Sequence, residues 1–256
     1  MRLYICMMED WWPKTDKEAW AMKVRGFEMV EAMRVHELRH MELGEWKNAL
    51  RLVHTVREPD VWLFQAALSV QRSIWEAGYE FAFIGGVALQ RWGEVRFTTD
   101  VDVTLWCPLG EESNVTSDLE SAFGRREPGA SFMARIARTF AGRTHTGHNL
   151  DVALASTPYA RGLLNRAVDV DFGVEEPLHV CSAEDLTITK TCAGRGQDWV
   201  DLKRIIQRSG RAMDWDLVWE ELAPLLAMIE DPERMDRLRE LVAQEKDPPP
   251  GNPYGL

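Results

Sequence analysis

A chain of 256 residues with 45% hydrophobic and 28% charged residues has the balance of an ordinary globular protein. That excludes a mainly disordered chain, and 12 Pro with 18 Gly exclude a collagen-like or low-complexity one. A net charge of −11 argues against a general nucleic-acid coat protein.

The four cysteines, Cys6, Cys107, Cys181 and Cys192, are widely spaced with no C-x-x-C pair, the usage of a reduced chain. The apolar run Leu3 to Met8 stops at Glu9-Asp10, without the charged start, longer apolar stretch and small-residue cleavage site of a signal peptide. No stretch reaches the roughly 18 apolar residues of a membrane helix. The expectation is a soluble, cytoplasmic protein with no membrane partner.

Taken in chain order, residues 1–78 read as an N-terminal helical region. Leu50, Val53 and His54 recur at helical spacing within Trp46 to Val56. Pro59 opens a second run, with Val61, Phe64, Ala67, Leu68 and Ile74 on one apolar face and Gly78 as its stop.

Residues 79–181 change to short β-type runs separated by helical ones, a catalytic core in outline. Phe81 to Ile84 is a compact apolar strand ending at Gly85-Gly86. Asp100 to Leu105 alternates, with Val101, Val103 and Leu105 opposite Asp100, Asp102 and Thr104. Asn149 to Ala155 alternates in the same way around Asp151, and shorter strands fit Val168 to Phe172 and Leu178 to Cys181.

Residues 182–246 return to helix, with Ser182-Ala183-Glu184-Asp185 in the form of an N-cap. Four helices are expected, over Ser182 to Cys192, Asp198 to Arg208, Asp214 to Ile229 and Pro232 to Ala243. The Pro- and Gly-rich tail, 247–256, reads as a flexible end. The fold class is therefore α/β (α+β): a small mixed sheet with flanking helices.

Charge is unevenly distributed. Asp214 to Asp247 carries a net −7, whereas Arg125 to His148 and Lys190 to Arg211 each carry a net +4. Two basic segments in an acidic chain suggest a local anionic ligand, or alternatively solvated helix faces.

Asp100 and Asp102, two residues apart on a strand, project from one face with about 7 Å between their Cα atoms. Side-by-side carboxylates repel unless a cation lies between them, and Mg²⁺ prefers such oxygens together with substrate phosphates. If the strand of Asp151 pairs with theirs, three carboxylates converge in the pattern of a two-metal phosphoryl or nucleotidyl transfer site. Gly85-Gly86, at a strand end before a helix, lets backbone N–H groups approach phosphate. A strand, a diglycine, a helix and then Arg96-x-Thr98-x-Asp100-x-Asp102 make a more specific pattern than any piece alone.

The run Phe83-Ile84-Gly85-Gly86-Val87-Ala88-Leu89, followed by Arg96-Phe97-Thr98-Thr99-Asp100-Val101-Asp102, resembles the DNA polymerase β-type nucleotidyltransferases. Within that superfamily the chain is most similar to the minimal bacterial enzymes related to the AbiEii toxins. Leu150-Asp151-Val152, Ala183-Glu184-Asp185-Leu186, Lys190, Ala193-Gly194-Arg195 and Asp198-x-x-Asp201-Leu202 extend the match, which covers roughly Gln71 to Ile206.

The resemblance implies that Gly85 and Gly86 cradle an NTP, with Arg96 and Thr98 beside them. It implies that Asp100, Asp102 and Asp151 hold Mg²⁺ (two ions), with Asp151 helping to deprotonate the acceptor, and that Lys190 and Arg195 lie near the triphosphate. Asp198 and Asp201 match a later acidic motif. The family often has Gly-Ser where this chain has Gly85-Gly86, which removes one hydroxyl from the cradle. Structural readings stand beside these. Lys190 also fits a solvated helix lysine, Asp198 and Asp201 an ordinary helix start, Arg96 a partner of Asp100, and Asp151 an edge-strand charge.

His36-Glu37-Leu38-Arg39-His40 matches the H-E-x-x-H zinc signature but has no convincing third ligand. His145-x-x-His148 lacks partners at zinc-finger spacing.

The expected activity is Mg²⁺-dependent, pyrophosphate-releasing transfer of NMP from an NTP, ATP among the candidates, to an acceptor hydroxyl. By resemblance it belongs to the toxin of a toxin–antitoxin or phage-defence pair. Its partners would be an RNA acceptor such as tRNA and a cognate antitoxin, with RNA held by Arg125, Arg126, Arg135, Arg138 and Arg143. The alternatives are a small-molecule, antibiotic-type transferase, a non-catalytic binding or regulatory protein that keeps the fold, and a zinc peptidase.

Overall fold

The computed structural model describes residues 58–96, 98–126 and 136–246. The expected helix at 46–56, the H-E-x-x-H match at 36–40, Arg135 and the tail from 247 lie outside the described residues. Nearly all of the described chain belongs to one compact unit beginning at Pro59.

Helix α1, Glu58–Glu76, takes Pro59 into its first turn, where a missing N–H costs nothing. It buries Phe64, Ala67, Leu68 and Ile74, and the chain leaves it through Gly78. Strand β1 (Phe81–Phe83) follows, then α2 (Gly85–Trp92), β2 (Asp100–Trp106) and α3 (Glu112–Phe123). Next come β3 (Thr139–Arg143), β4 (Asn149–Ala155), α4 (Pro158–Arg166), β5 (Val168–Val170) and β6 (Leu178–Val180). The chain then stays helical, through α5 (Ala183–Ala193), α6 (Gly196–Ser209), α7 (Trp215–Met228) and α8 (Glu233–Lys246). Among the described residues this is a mixed α/β fold of six strands and eight helices.

The strands form one sheet in the order β3-β4-β2-β1-β6-β5. β2 runs antiparallel to β1 and parallel to β4. The sheet is mixed because β6 returns parallel to β1, whereas β3 and β5 lie antiparallel to their neighbours. Alternation sets the faces. Val101, Val103 and Leu105 of β2 and Leu150, Val152 and Leu154 of β4 are all at most 2% exposed, on the core side. Each such burial contributes up to ~2–3 kcal/mol, which fixes which face turns inward.

The C-terminal helices are tied on through a buried ion pair. Ser182 caps α5 by accepting a hydrogen bond from the Asp185 N–H at 3.0 Å. Asp185 is fully buried and receives both arms of the Arg166 guanidinium, at 3.0 and 2.7 Å, as well as the Ser182 hydroxyl. Arg166 also reaches Glu221, so α4, α5 and α7 share one charged node.

Of the basic stretch 125–148, residues 127–135 lie outside the described ones. The stretch contributes strand β3, whose side chains alternate between exposed and buried. Arg138 enters that strand at a positive φ of 50°. Its guanidinium pairs with Glu112 and donates to the carbonyls of Cys107 and Leu154. It is a strut between α3 and the sheet.

Removing one partner of a buried pair leaves the other charge uncompensated. Asp185→Ala should therefore lower the unfolding free energy by about 3 kcal/mol. Urea unfolding of the two proteins at pH 7 measures this, and an unchanged midpoint would show that the node contributes nothing.

Candidate functional site

The polar face of the β2–β4 pair carries the site. Parallel pairing places Asp102 beside Asp151 and Asp100 beside Asn149, so Asp100, Asp102 and Asp151 share one face. Adjacent strands are about 4.8 Å apart, which crowds the carboxylates. Burial raises the Asp102 carboxyl above its ordinary range; the Gly86 N–H pulls it back, and Asp151 and Asp100 push it further up.

Each carboxylate is compensated differently. Asp100 accepts a hydrogen bond from the Asn149 amide at 2.9 Å. Asp102 accepts one from the Gly86 N–H at 3.3 Å, and its backbone carbonyl accepts from the Ile84 N–H at 3.0 Å. Asp151 takes the Arg126 guanidinium on both oxygens, at 2.8 and 3.2 Å.

The diglycine fits against this face. Gly85 has φ +53°, and a Cβ there would stand 2.1 Å from Asp102 Oδ2. Only glycine lets the chain turn there and pass so close to the carboxylate. A Cβ on Gly86 would fall 2.8 Å from the Thr98 methyl and 2.9 Å from its hydroxyl. This accounts for the departure from Gly-Ser: Thr98 fills the space a serine would need. The Thr98 hydroxyl in turn accepts a hydrogen bond from the Asp100 N–H at 3.3 Å. Helix α2 starts at Gly85, so its N–H groups open toward Asp102.

A second cluster lies on α5 and α6. Lys190 is 6% exposed, so it is not a solvated helix lysine. Its ammonium donates to Asp201 at 2.6 Å and to Asp198 at 3.3 Å. Arg195 donates to Asp198 at 2.7 Å, and Arg96 reaches both Asp201 oxygens at 3.2 Å. Arg96 is thus a partner of Asp201 rather than of Asp100. Asp198 also accepts from the Arg195 backbone N–H, so it serves the helix start as well as the ion web. Burial pushes the Asp198 carboxyl up, but the hydrogen bond from Arg195 and the Lys190 charge outweigh it and hold the group below its ordinary range. Lys190 lies close enough to stabilise the Asp102 anion, and Asp102 and Asp201 act in the same sense on Arg195. The web and the acidic face are electrostatic neighbours.

Sequence reasoning named Arg126 only as part of a basic patch and missed its contact with Asp151. The signal was its position two residues past Gly124, where the chain turns back toward β3. His148 caps the β3–β4 hairpin, with Nδ1 2.8 Å from the Thr146 hydroxyl. A groove of about 400 Å³ lined by Trp75, Tyr79, Phe81, Leu164 and His179 lies at the far end of β1 from Gly85 and contains no predicted site residue.

The oxygen-only donor set of Asp100, Asp102 and Asp151 has the chemistry of a hard divalent cation site. Among the described residues no three such side chains are placed to hold a metal ion, and Asp151 is turned onto Arg126.

The family model for the nucleotidyl transferase AbiEii toxin, type IV toxin–antitoxin system, matches residues 68–250. The chain belongs to this family of nucleotidyltransferases. Among solved structures it is similar to an antigenic nucleotidyltransferase-like protein from Paracoccidioides brasiliensis, at 15% identity and a TM-score of 0.40, over 70% of this chain and 91% of that one. It is also similar to the antibiotic-resistance factor ANT(2'')-Ia, at 14% identity and a TM-score of 0.36, over 69% and 94%. No curated protein matches the chain. No helix among the described residues is long and apolar enough to cross a membrane.

The raised Asp102 carboxyl has a consequence for stability. A carboxyl whose folded pKa exceeds its unfolded value of about 3.9 loses stability as pH rises through that window. Asp102→Asn keeps an oxygen for the Gly86 N–H and removes the charge. Without added metal it should be more stable than the parent at pH 7, with the gap narrowing toward pH 4. Chemical denaturation across that range checks this, and a less stable variant at pH 7 would contradict it.

Proposed function

We propose that the protein transfers a nucleoside monophosphate from an NTP to an acceptor hydroxyl in a Mg²⁺-dependent reaction. The observation that carries this reading is the register of β2 and β4, which brings Asp100, Asp102 and Asp151 to one face beside Gly85-Gly86. When bound, divalent cations supply charge neutralisation of the phosphates and hold the attacking and leaving oxygens in line.

The chain's own residues do the rest. N–H groups at the start of α2 receive the phosphate oxygens, with Gly85 and Gly86 allowing their close approach. Lys190 and Arg195 offset the negative charge of the triphosphate, while Asp198, Asp201 and Arg96 hold Lys190 in place. The acceptor oxygen bonds to the α-phosphorus as the bond to the bridging oxygen breaks. Pyrophosphate departs, and the acceptor proton passes to Asp151.

Family membership supports a toxin role with a cognate antitoxin; an RNA acceptor such as tRNA, met in the cytoplasm, is proposed with it. Of the arginines proposed to hold RNA, Arg138 pairs with Glu112 and the half-exposed Arg125 with Glu120.

Incubating the protein with Mg²⁺, each labelled NTP and total RNA tests the reading. Label on RNA is the expected result, label on a small molecule would move the chain to the alternative acceptor class, and no transfer from any NTP would overturn the proposal. Asp100→Asn and Asp102→Asn should each cut transfer by at least about 10³-fold while the protein stays folded, since charge at the reacting phosphate is the main catalytic contribution. Lys190→Ala should raise the KM for NTP by about tenfold or more, the scale of one charge-assisted contact to phosphate. Wild-type kinetics would remove Lys190 from the site.

A further inference from the structure

The three carboxylates of the acidic face are not compensated alike. Asp100 meets a neutral amide and Asp102 a backbone N–H, whereas Asp151 meets a full positive charge on both of its oxygens. A divalent cation that approaches those two oxygens meets the like charge of the guanidinium only a few ångströms away, so the two compete.

The backbone of Arg126 is fixed in place. Its N–H donates to the carbonyl of Ala141 at 3.0 Å, and Ala141 is the β3 partner of Asp151 itself. The backbone anchor leaves the side chain to turn without movement of the sheet. Both side chains are partly exposed, at 27% for Arg126 and 34% for Asp151, so the rotation leads toward solvent rather than through the core.

We propose that Arg126 is a displaceable counter-ion: it holds Asp151 until a divalent cation takes the carboxylate, so that cation entry and arginine release are one exchange. The inference rests on the reading of Asp100, Asp102 and Asp151 as cation ligands. While Arg126 stays on Asp151, the third carboxylate is unavailable to the cation. The self-repulsion of the acidic face is thereby lessened, and a cation arriving without nucleotide must compete with a tethered one.

Manganese titrations followed by electron paramagnetic resonance, with no nucleotide present, test the exchange on the full chain. Arg126→Met, which keeps the stem and removes the charge, should bind Mn²⁺ about tenfold more tightly than the parent, and Arg126→Lys should fall between them. In thermal melts Arg126→Met should be less stable than the parent without metal and should gain more from added Mn²⁺. Asp102→Asn and Asp151→Asn should bind Mn²⁺ more weakly than the parent.

If Arg126→Met binds Mn²⁺ no better than the parent while Asp102→Asn still weakens binding, the exchange is wrong and the carboxylate reading stands. Arg126 would then be a fixed support for Asp151. If Asp102→Asn and Asp151→Asn bind Mn²⁺ as the parent does, the ligand reading fails and the exchange fails with it.

Discussion

The parallel pairing of β2 with β4, in the register that sets Asp102 beside Asp151, is the constraint on which the rest of the molecule turns. The period of a strand is two residues, so one register serves both faces at once. A slip by a single residue would expose Val101, Val103 and Leu105 or their β4 counterparts, at a cost of many kcal/mol. The apolar side thereby enforces the crowding of carboxylates on the polar side. The fold keeps an arrangement that is electrostatically unfavourable when empty because the core leaves the strands no alternative.

That tension is relieved locally. The Gly86 N–H, the Asn149 amide and the Arg126 guanidinium each take one carboxylate, while Lys190, Arg96 and Arg195 form a cationic web around Asp198 and Asp201. Buried ion pairs seldom improve on well-packed apolar residues in stability. A lysine that is 6% exposed between two nearly buried aspartates is therefore expensive as pure scaffold. Its position next to Asp102 gives that expense a use.

Much of this was legible in the chain, for identifiable reasons. Alternation around Asp100 to Leu105 and Asn149 to Ala155 reports directly on which side of a strand faces inward, so the carboxylate face could be drawn before any pairing was known. Ser182 and Asp214 announce the starts of α5 and α7 because capping is a local interaction. The diglycine was visible, but its cause was not, since Thr98 meets Gly86 only after the loop between α2 and β2 has closed. The contacts within the basic stretch were hidden because a count of arginines carries no direction. Once folded, Arg125, Arg126 and Arg138 point to Glu120, Asp151 and Glu112 respectively, three separate duties that the sequence presents as one patch. The partner of Arg96 was equally hidden, because Arg96 and Asp201 meet across 105 residues of chain.

That last separation bears on when the protein becomes competent. A chain emerging from the ribosome presents the diglycine and the paired strands well before α5 and α6. Until those helices dock, Arg96 lacks Asp201 and no ammonium stands near Asp102. Any product that stops short of residue 190 would carry the acidic face and Arg126, but neither Lys190 nor Arg195. Synthesis order thus brings Lys190 and Arg195 to the site only after the strands that carry its carboxylates.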